Sequence, residues 1–337
     1  MPTARGEGAR PATIYDVATA AGVSPSTVSR TFSRPGRVSS RTAQLVREVA
    51  DRLGYRSEEI YRPPTPTRTK TIGLAISDVT NPFYFPIIRG AETAAARARY
   101  TLLLADAQES DRVERQMLRR ALPLIDGLVI ASSRLSDTDL RTLAKTVPVV
   151  VLNRPVAGLP SVITDTARGI RRAAEHLAEL GHRSICYVAG PDASWANGAR
   201  WRGLREAAME LELTERRIGP FAPTVEGGLE AARVVAEKGH RAVIVYNDLM
   251  AMGLIQGLRR EGMSVPHHVS VVGFDNIFAA DLITPGLTTV AAPLQTIGET
   301  AVRNIVALTK GATSTQQGAS VVPVRLIVRG STAPPAR

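Results

Sequence analysis

Residues 13–30 read Thr13-Ile-Tyr-Asp-Val-Ala-Thr-Ala-Ala-Gly22-Val-Ser-Pro25-Ser-Thr-Val-Ser-Arg30. Ile14, Val17, Ala18 and Ala21 recur at spacings of three and four, the pattern of one buried helix face, and Gly22 stops that helix. Ser24 stands at an N-cap with Pro25 at the first helical position, so a second helix opens almost at once. The spacing predicts a third helix after Ser39-Ser40, with Ala43, Leu45, Val46, Val49, Ala50 and Leu53 inward and Gly54 at its end. Three short helices, the first two joined by a tight glycine turn, make a helix-turn-helix.

Outward from this stretch, residues 1–10 are expected to be a flexible tail, 11–57 the helix-turn-helix domain and 58–70 a linker. Within the linker Pro63, Pro64 and Pro66 favour extended backbone over helix. From Thr71 the period changes. Apolar strands are expected at 71–76, 101–106, 127–131, 147–152, 184–189, 242–247 and 269–274, with amphipathic helices between them. Such alternation implies parallel sheets covered on both faces. The remaining length is large for one sheet, and a repeated five- to six-strand unit predicts two doubly wound lobes with a crevice between them. Residues 71–332 are read as this two-lobed domain, with one lobe at 71–163 plus 292–322 and the other at 164–291 plus 323–332. Ligands of such folds bind outside the carboxyl ends of the strands.

Composition sets the wider limits. The chain has 337 residues, 44% apolar, with 42 Lys+Arg against 31 Asp+Glu. These are the fractions of an ordinary globular protein of two or three domains. One cysteine, Cys186, excludes a disulfide scaffold. No signal peptide and no run of eighteen apolar residues is visible, so a cytoplasmic protein without membrane contact is expected. Residues 1–70 hold twelve of the basic and six of the acidic groups, a net +6, while the other 267 residues carry only +5. Only four of the cations are lysines, so arginine-rich codon usage explains part of the basicity. The distribution still points to a polyanion-binding module on a near-neutral body.

Catalysis and cofactors find no support in the motifs. The chain lacks a G-x-G-x-x-G opening a helix, a GxxxxGK[ST] loop and a G-x-S-x-G elbow. The five histidines show no metal-ligand spacing beyond the adjacent His267-His268, and Cys186 lies inside an apolar strand. A transport binding protein or an enzyme on a Rossmann-like body are the rival readings; the first would carry no helix-turn-helix, and the second lacks a phosphate loop or nucleophile.

Residues 13–30, with Val38-Ser-Ser-Arg-Thr42 and Leu53-Gly-Tyr55, resemble the DNA-binding domain of the lactose-repressor/galactose-repressor (LacI/GalR) family. Asp78-Val-Thr-Asn-Pro-Phe83, Asn153-Arg-Pro155, Gly190-Pro191, Arg200-x-x-Gly203, Glu226-Gly-Gly228, Asn247-Asp248 and Val271-Val-Gly-Phe-Asp275 follow in that family's order. The resemblance implies an all-α helix-turn-helix domain followed by an α/β, two-lobed, periplasmic-binding-protein-like effector domain. It implies a repressor that binds double-stranded operator DNA as a homodimer, under the control of a small carbohydrate or nucleoside, with induction expected over corepression. The resemblance favours a dimer over a tetramer, because the closing Ala333-Pro-Pro-Ala-Arg337 is expected to leave no room for a C-terminal helical bundle.

For the DNA end, the resemblance makes Pro25, Ser26 and Arg30 the base readers, because the first turn of a recognition helix meets base edges in the major groove. Arg30 can fork onto guanine O6 and N7. Thr13, Tyr15, Ser24, Thr27, Ser29, Ser39, Arg41 and Thr42 are expected on phosphates, which fix register without reading sequence. Pro64 departs from the family, whose members carry a leucine wedge on a short hinge helix there. Ile60 or Tyr61 is the alternative apolar wedge in the minor groove.

For the crevice, the resemblance points to Phe83, Asn153, Trp195, Arg200, Asn247, Asp275 and Phe221. Arg200 and Asp275 are opposite charges able to share ligand hydroxyls, and the two asparagines add donors and acceptors. Phe83 and Trp195 are candidates for stacking on a sugar ring, with lobe packing as the alternative for Trp195. Asp275 can instead cap a helix, and Phe221 is either a crevice lid or a surface-loop anchor.

Overall fold

The computed structural model describes residues 12–33, 37–53, 55, 68–312 and 319–335. The chain divides into two compact units between Thr67 and Arg68. The expected linker residues Ile60, Tyr61, Pro63, Pro64 and Pro66 lie outside the described residues, as does Gly54.

The first unit holds helices α1 (Ile14–Ala21), α2 (Pro25–Ser33) and α3 (Ser40–Arg52). Each begins on a hydroxyl cap. Thr13 and Asp16 form a reciprocal capping box on α1, and Ser24 Oγ accepts from the amide of Thr27 at 3.2 Å. Ser39 Oγ likewise accepts from the amide of Thr42 at 3.3 Å. Such caps satisfy amides that a helix cannot pair internally. Gly22 closes α1 at φ +63°, a left-handed conformation costly for any residue with a Cβ. Val17, Ala18, Ala21, Val28, Val46, Val49 and Ala50 form the small core. Leu45 and Leu53, expected inward, are instead 46% and 40% exposed. Val46, Val49 and Ala50 already fill the face of α3 that meets the other helices; Leu45 is one residue off that face, and Leu53 lies past its last turn.

The second unit contains two six-stranded sheets. In one lobe β1 (Thr71–Ile76), β2 (Thr101–Asp106), β3 (Gly127–Ala131), β4 (Val149–Leu152), β5 (Ser161–Thr164) and β11 (Ala319–Val322) pair in parallel, in the order β11-β5-β4-β3-β1-β2. In the other, β6 (Ser184–Val188), β7 (Thr214–Ile218), β8 (Ala242–Val245), β9 (Ser270–Asp275), β10 (Thr288–Ala291) and β12 (Arg325–Ile327) pair in the order β12-β10-β9-β8-β6-β7. Only β12 runs antiparallel to its neighbour. The seven expected strands are present. The expected strand at 147–152 starts at Val149, and that at 242–247 stops at Val245, before Asn247 caps the next helix. Sequence reading missed β5, β7, β10, β11 and β12. All are short, and β7 reads Thr-Glu-Arg-Arg-Ile, an edge strand with little to bury.

Helices α4 (Tyr84–Arg97), α5 (Asp111–Ala121), α6 (Asp137–Leu143) and α11 (Leu294–Thr309) accompany the first sheet. Helices α7 (Thr166–Glu179), α8 (Trp195–Glu210), α9 (Val225–Glu237) and α10 (Asp248–Arg260) accompany the second. The backbone passes between the lobes three times: from β5 into α7, from β10 into α11 and from β11 into β12. α4 and α11 cross at van der Waals distance because each offers a glycine. A Cβ on Gly90 would run into the carbonyl of Gln295, and one on Gly298 into that of Ile87. β1, β3, β4, β8 and β9 end at the gap between the lobes, so strand-end loops furnish the crevice wall.

Candidate functional site

Loops at the carboxyl ends of β1, β3, β4, β8 and β9 converge on a cavity between the lobes, lined by Phe83, Asn153, Arg200, Asn247 and Asp275. Four of the residues on its wall hold left-handed backbone: Glu109 at φ +54°, Ser132 at φ +53°, Asn153 at φ +65° and Asp275 at φ +120°. Non-glycine residues persist there only when their surroundings impose the conformation, and such positions concentrate at binding sites.

On the second lobe Arg200 and Asp275 are both 7% exposed. Arg200 Nη2 donates to Asp275 Oδ1 at 3.3 Å, and Nη1 donates to the carbonyl of Tyr246. The guanidinium also lies over the Phe274 ring, 3.8 Å from its centroid, and 4.8 Å from that of Tyr246. Cation–π contact and the carboxylate together fix one orientation. Arg200 Nε is buried with no hydrogen-bond partner among the described residues. The chain therefore leaves the guanidinium of a cavity-lining arginine incompletely paired. Asp275 does not cap a helix: the 3₁₀ turn Phe278–Asp281 that follows is entered through Ile277. Burial pushes the Asp275 carboxyl up to about 7, against the pull of Arg200. Behind it Asp248, fully buried, accepts from Thr289 Oγ1 at 2.6 Å and from the Ile277 amide at 2.9 Å. Burial first, then the Asp275 charge, push Asp248 up to about 8. Protonated Asp248 spares the site a second negative charge.

Asn247 lines the cavity, but its side chain is already employed. Its Oδ1 caps α10 through the Met250 amide at 2.9 Å, and Nδ2 donates to the Pro223 carbonyl at 3.1 Å. Asn153 Nδ2 donates to Ser132 Oγ at 2.9 Å. Phe83 packs against the cores of both lobes, which makes it a bridge across the gap. Trp195 and Phe221 do not line the cavity. Trp195, expected to stack on a sugar ring, is the first residue of α8 and 37% exposed. Phe221 is anchored through its amide to the Ala189 carbonyl at 3.0 Å and packs on the second lobe's core.

Sequence reading missed the first lobe's contribution. Tyr84, Ser77, Glu109 and Arg134 line the same cavity. Ser77 Oγ donates to Glu109 Oε1 at 2.7 Å and lies 2.7 Å from the Tyr84 hydroxyl, which therefore donates to it. Arg134 pairs with the other Glu109 oxygen, Nε at 3.0 Å. Glu109 follows Gln108 through two successive left-handed residues, at φ +51° and +54°. No spacing rule joins these residues, because they come from three separate segments: Ser77 and Tyr84 bound the connection from β1 to α4, Glu109 follows β2 and Arg134 follows β3. Tyr246, one residue before the Asn247-Asp248 motif, was also missed.

In the first unit the expected base readers Pro25, Ser26 and Arg30 are all exposed, while Val28 and Thr31 on the opposite face of α2 are buried. Tyr15 is 68% exposed and Arg41 is exposed. Thr13, Ser24 and Ser39 are the caps of the three helices, with Thr27 and Thr42 bonded to the last two. These hydroxyls are thus structural first. Ser29 is half-buried on α2.

Among the described residues no helix is long and apolar enough to cross a membrane, and no group of three His, Cys, Asp or Glu is placed to hold a metal.

Comparison with known proteins fits both units. Residues 13–58 match the family described as bacterial regulatory proteins, lacI family, and residues 174–332 match the periplasmic binding protein-like domain. The HTH-type transcriptional regulator DegA of Bacillus subtilis is 31% identical over 334 residues, covering 96% of this chain and 98% of DegA. The solved complex of the transcriptional regulator CelR with cellobiose is 28% identical, with a TM-score of 0.71 over 95% of this chain and 99% of that one. The lac repressor dimer bound to operator and an anti-inducer is 26% identical, with a TM-score of 0.70 over 96% and 100% of the two chains. A match of this extent, from the helix-turn-helix through both lobes, leaves one conclusion: the chain belongs to the lacI family of bacterial regulatory proteins.

Proposed function

We propose that this protein is a sequence-specific transcriptional regulator, a repressor, whose affinity for operator DNA is set by a small carbohydrate or nucleoside held between the two lobes. The observation that carries the reading is the Arg200–Asp275 pair: two buried charges and an orphan Nε–H on a cavity wall, on a chain that also carries a helix-turn-helix. In this reading Pro25, Ser26 and Arg30 read bases, and the capped starts of α1, α2 and α3, with Tyr15, Ser29 and Arg41, hold phosphates. Arg200, Asp275, Asn153, Asn247 and Phe83 hold the effector. The protein acts as a homodimer in the cytoplasm, as the likeness to the operator-bound lac repressor dimer supports. It has no catalytic step; burial pushes the Cys186 thiol up to about 12, which leaves it inert at neutral pH.

Selection of binding sites from random-sequence DNA with the full chain tests the DNA half. The expected product is an inverted repeat, one half-site per subunit, with binding that weakens steeply as salt rises. Recovery of no enriched sequence would overturn the assignment.

A further inference from the structure

We propose that the crevice selects neutral polyhydroxylated ligands and rejects their phosphorylated forms, and that Glu109 on the first lobe is the residue that enforces this. The inference rests on the reading of the crevice as the effector site. Two guanidinia face the cavity, Arg134 from one lobe and Arg200 from the other. Each is matched on its own lobe by a carboxylate, Glu109 and Asp275. The described residues that line the cavity include no lysine or histidine, so its formal charge is zero.

Pairing decides what the arginines can do. Arg200 spends Nη1 on the Tyr246 carbonyl and Nη2 on Asp275, which leaves Nε as its unmatched donor. Arg134 places Nε and Nη2 on Glu109. A phosphate entering here meets no uncompensated cation, and it meets two carboxylates. Removing its hydration in a closed site is then unrewarded. A hydroxyl meets the reverse situation. It can donate to the free lone pairs of Glu109 or Asp275 and accept from a remaining guanidinium N–H of Arg200 or Arg134, in charge-assisted bonds that need no net charge on the ligand.

Glu109 is held for this role. Ser77 donates to it, Tyr84 is bonded to Ser77, and both hydroxyl residues are buried. The loop carrying Arg134 is fixed from behind, where the Arg134 amide donates to buried Glu114 at 2.9 Å. The pair is therefore built into the wall rather than assembled by the ligand. Glu109→Gln keeps the shape of the side chain and its bond from Ser77, yet frees the charge of Arg134.

Thermal shift and calorimetry on the full chain decide the matter, with D-ribose, D-glucose, D-cellobiose and adenosine set against ribose 5-phosphate, glucose 6-phosphate and adenosine 5′-monophosphate. The expected result is that at least one neutral probe binds, and binds at least about tenfold tighter than its own phosphate. In Glu109→Gln that ratio should shrink by about tenfold or invert, the neutral probe losing affinity while the phosphate gains it. Tighter binding of a phosphate by the parent, changed in either direction in Asp275→Asn, would keep the crevice as the effector site and overturn its neutrality. An unchanged ratio in a cooperatively folded Glu109→Gln would remove Glu109 from the selection. Binding by none of the probes, or binding that Asp275→Asn leaves intact, would overturn the crevice reading itself.

Discussion

Arg200 and Asp275 sit 75 residues apart in sequence and 3.3 Å apart in space, with the guanidinium laid over the ring of Phe274 beside the carboxylate. The arrangement makes the two residues unequal under mutation. Arg200→Ala removes a packed side chain from between aromatic rings and strands a buried carboxylate, so it should destabilise the fold as well as the site. Asp275→Asn keeps the volume and one acceptor. It should melt within about 1 kcal/mol of the parent while weakening effector binding by about 2–4 kcal/mol, thirty- to a thousandfold. Calorimetric titration of the two variants checks this; equal losses of stability would assign both residues to the fold alone.

Effector binding should depend on pH through Asp275. With its carboxyl raised to about 7, protonation below that point removes an acceptor that ligand hydroxyls use. Affinity should be full above pH 8 and fall by up to about tenfold per pH unit below 7, the limit for one coupled proton. Titrations between pH 5.5 and pH 8.5 test it, and a flat profile would take the proton away from the binding step.

For stability the sign is opposite, and Asp248 is the residue to follow. Its carboxyl rises from an ordinary 3.8 to about 8 in the fold. A raised acid favours the folded state below its unfolded value, and that contribution is lost as pH climbs through the folded one. Asp248→Asn has no such proton to lose. Relative to the parent it should gain stability in urea unfolding from about pH 4 up to about pH 8 and level off above that; parallel curves for the two proteins would contradict the assignment.

Arg30 and Arg41 should separate base reading from phosphate holding. Arg30→Ala is expected to cost about 1–3 kcal/mol at one operator position and relax the base preference there. Arg41→Ala should weaken binding to all sequences alike and flatten the salt slope by about one. Competition assays against single-base operator variants distinguish the two, and identical preference profiles would refute the assignment of α2 to the groove.

The glycines at the α4–α11 crossing should behave unlike glycines in open helix. Gly298→Ala drives a methyl into the Ile87 carbonyl, and overpacking of this kind costs about 1–3 kcal/mol. Gly198→Ala, in α8 with nothing near its missing Cβ, should instead stabilise by up to about 1 kcal/mol. Urea midpoints of both variants check the contrast.

How much of this was readable from the residues depends on how each signal is carried. Helix caps are local, so Thr13, Ser24-Pro25 and Ser39 mark their helices without tertiary help. Fully buried parallel strands are equally plain, as in Val149–Leu152, whereas Thr214–Ile218 at a sheet edge buries one side chain of five. Arg200 and Asp275 lie in recognisable motifs. Glu109 and Arg134 do not, since their partnership exists only once β2 and β3 end at the same gap. The resemblance made Trp195 a candidate ligand contact, yet its position at the start of α8 decides what it meets. Leu45 shows the same limit: apolar character names a candidate for the core, and the angle around the helix decides.

The central claim is a coupling between the crevice and the DNA-binding unit, and fluorescence anisotropy on the selected operator measures it directly. Operator Kd is determined at one salt concentration, with and without a saturating neutral ligand from the probe set, for the parent and for Asp275→Asn at that same ligand concentration. The account predicts that ligand changes the parent's Kd by about 5–150-fold, weakening it if the ligand induces, and that the variant binds operator like the unliganded parent and does not respond. An operator affinity that stays constant while calorimetry shows the crevice filled would contradict it.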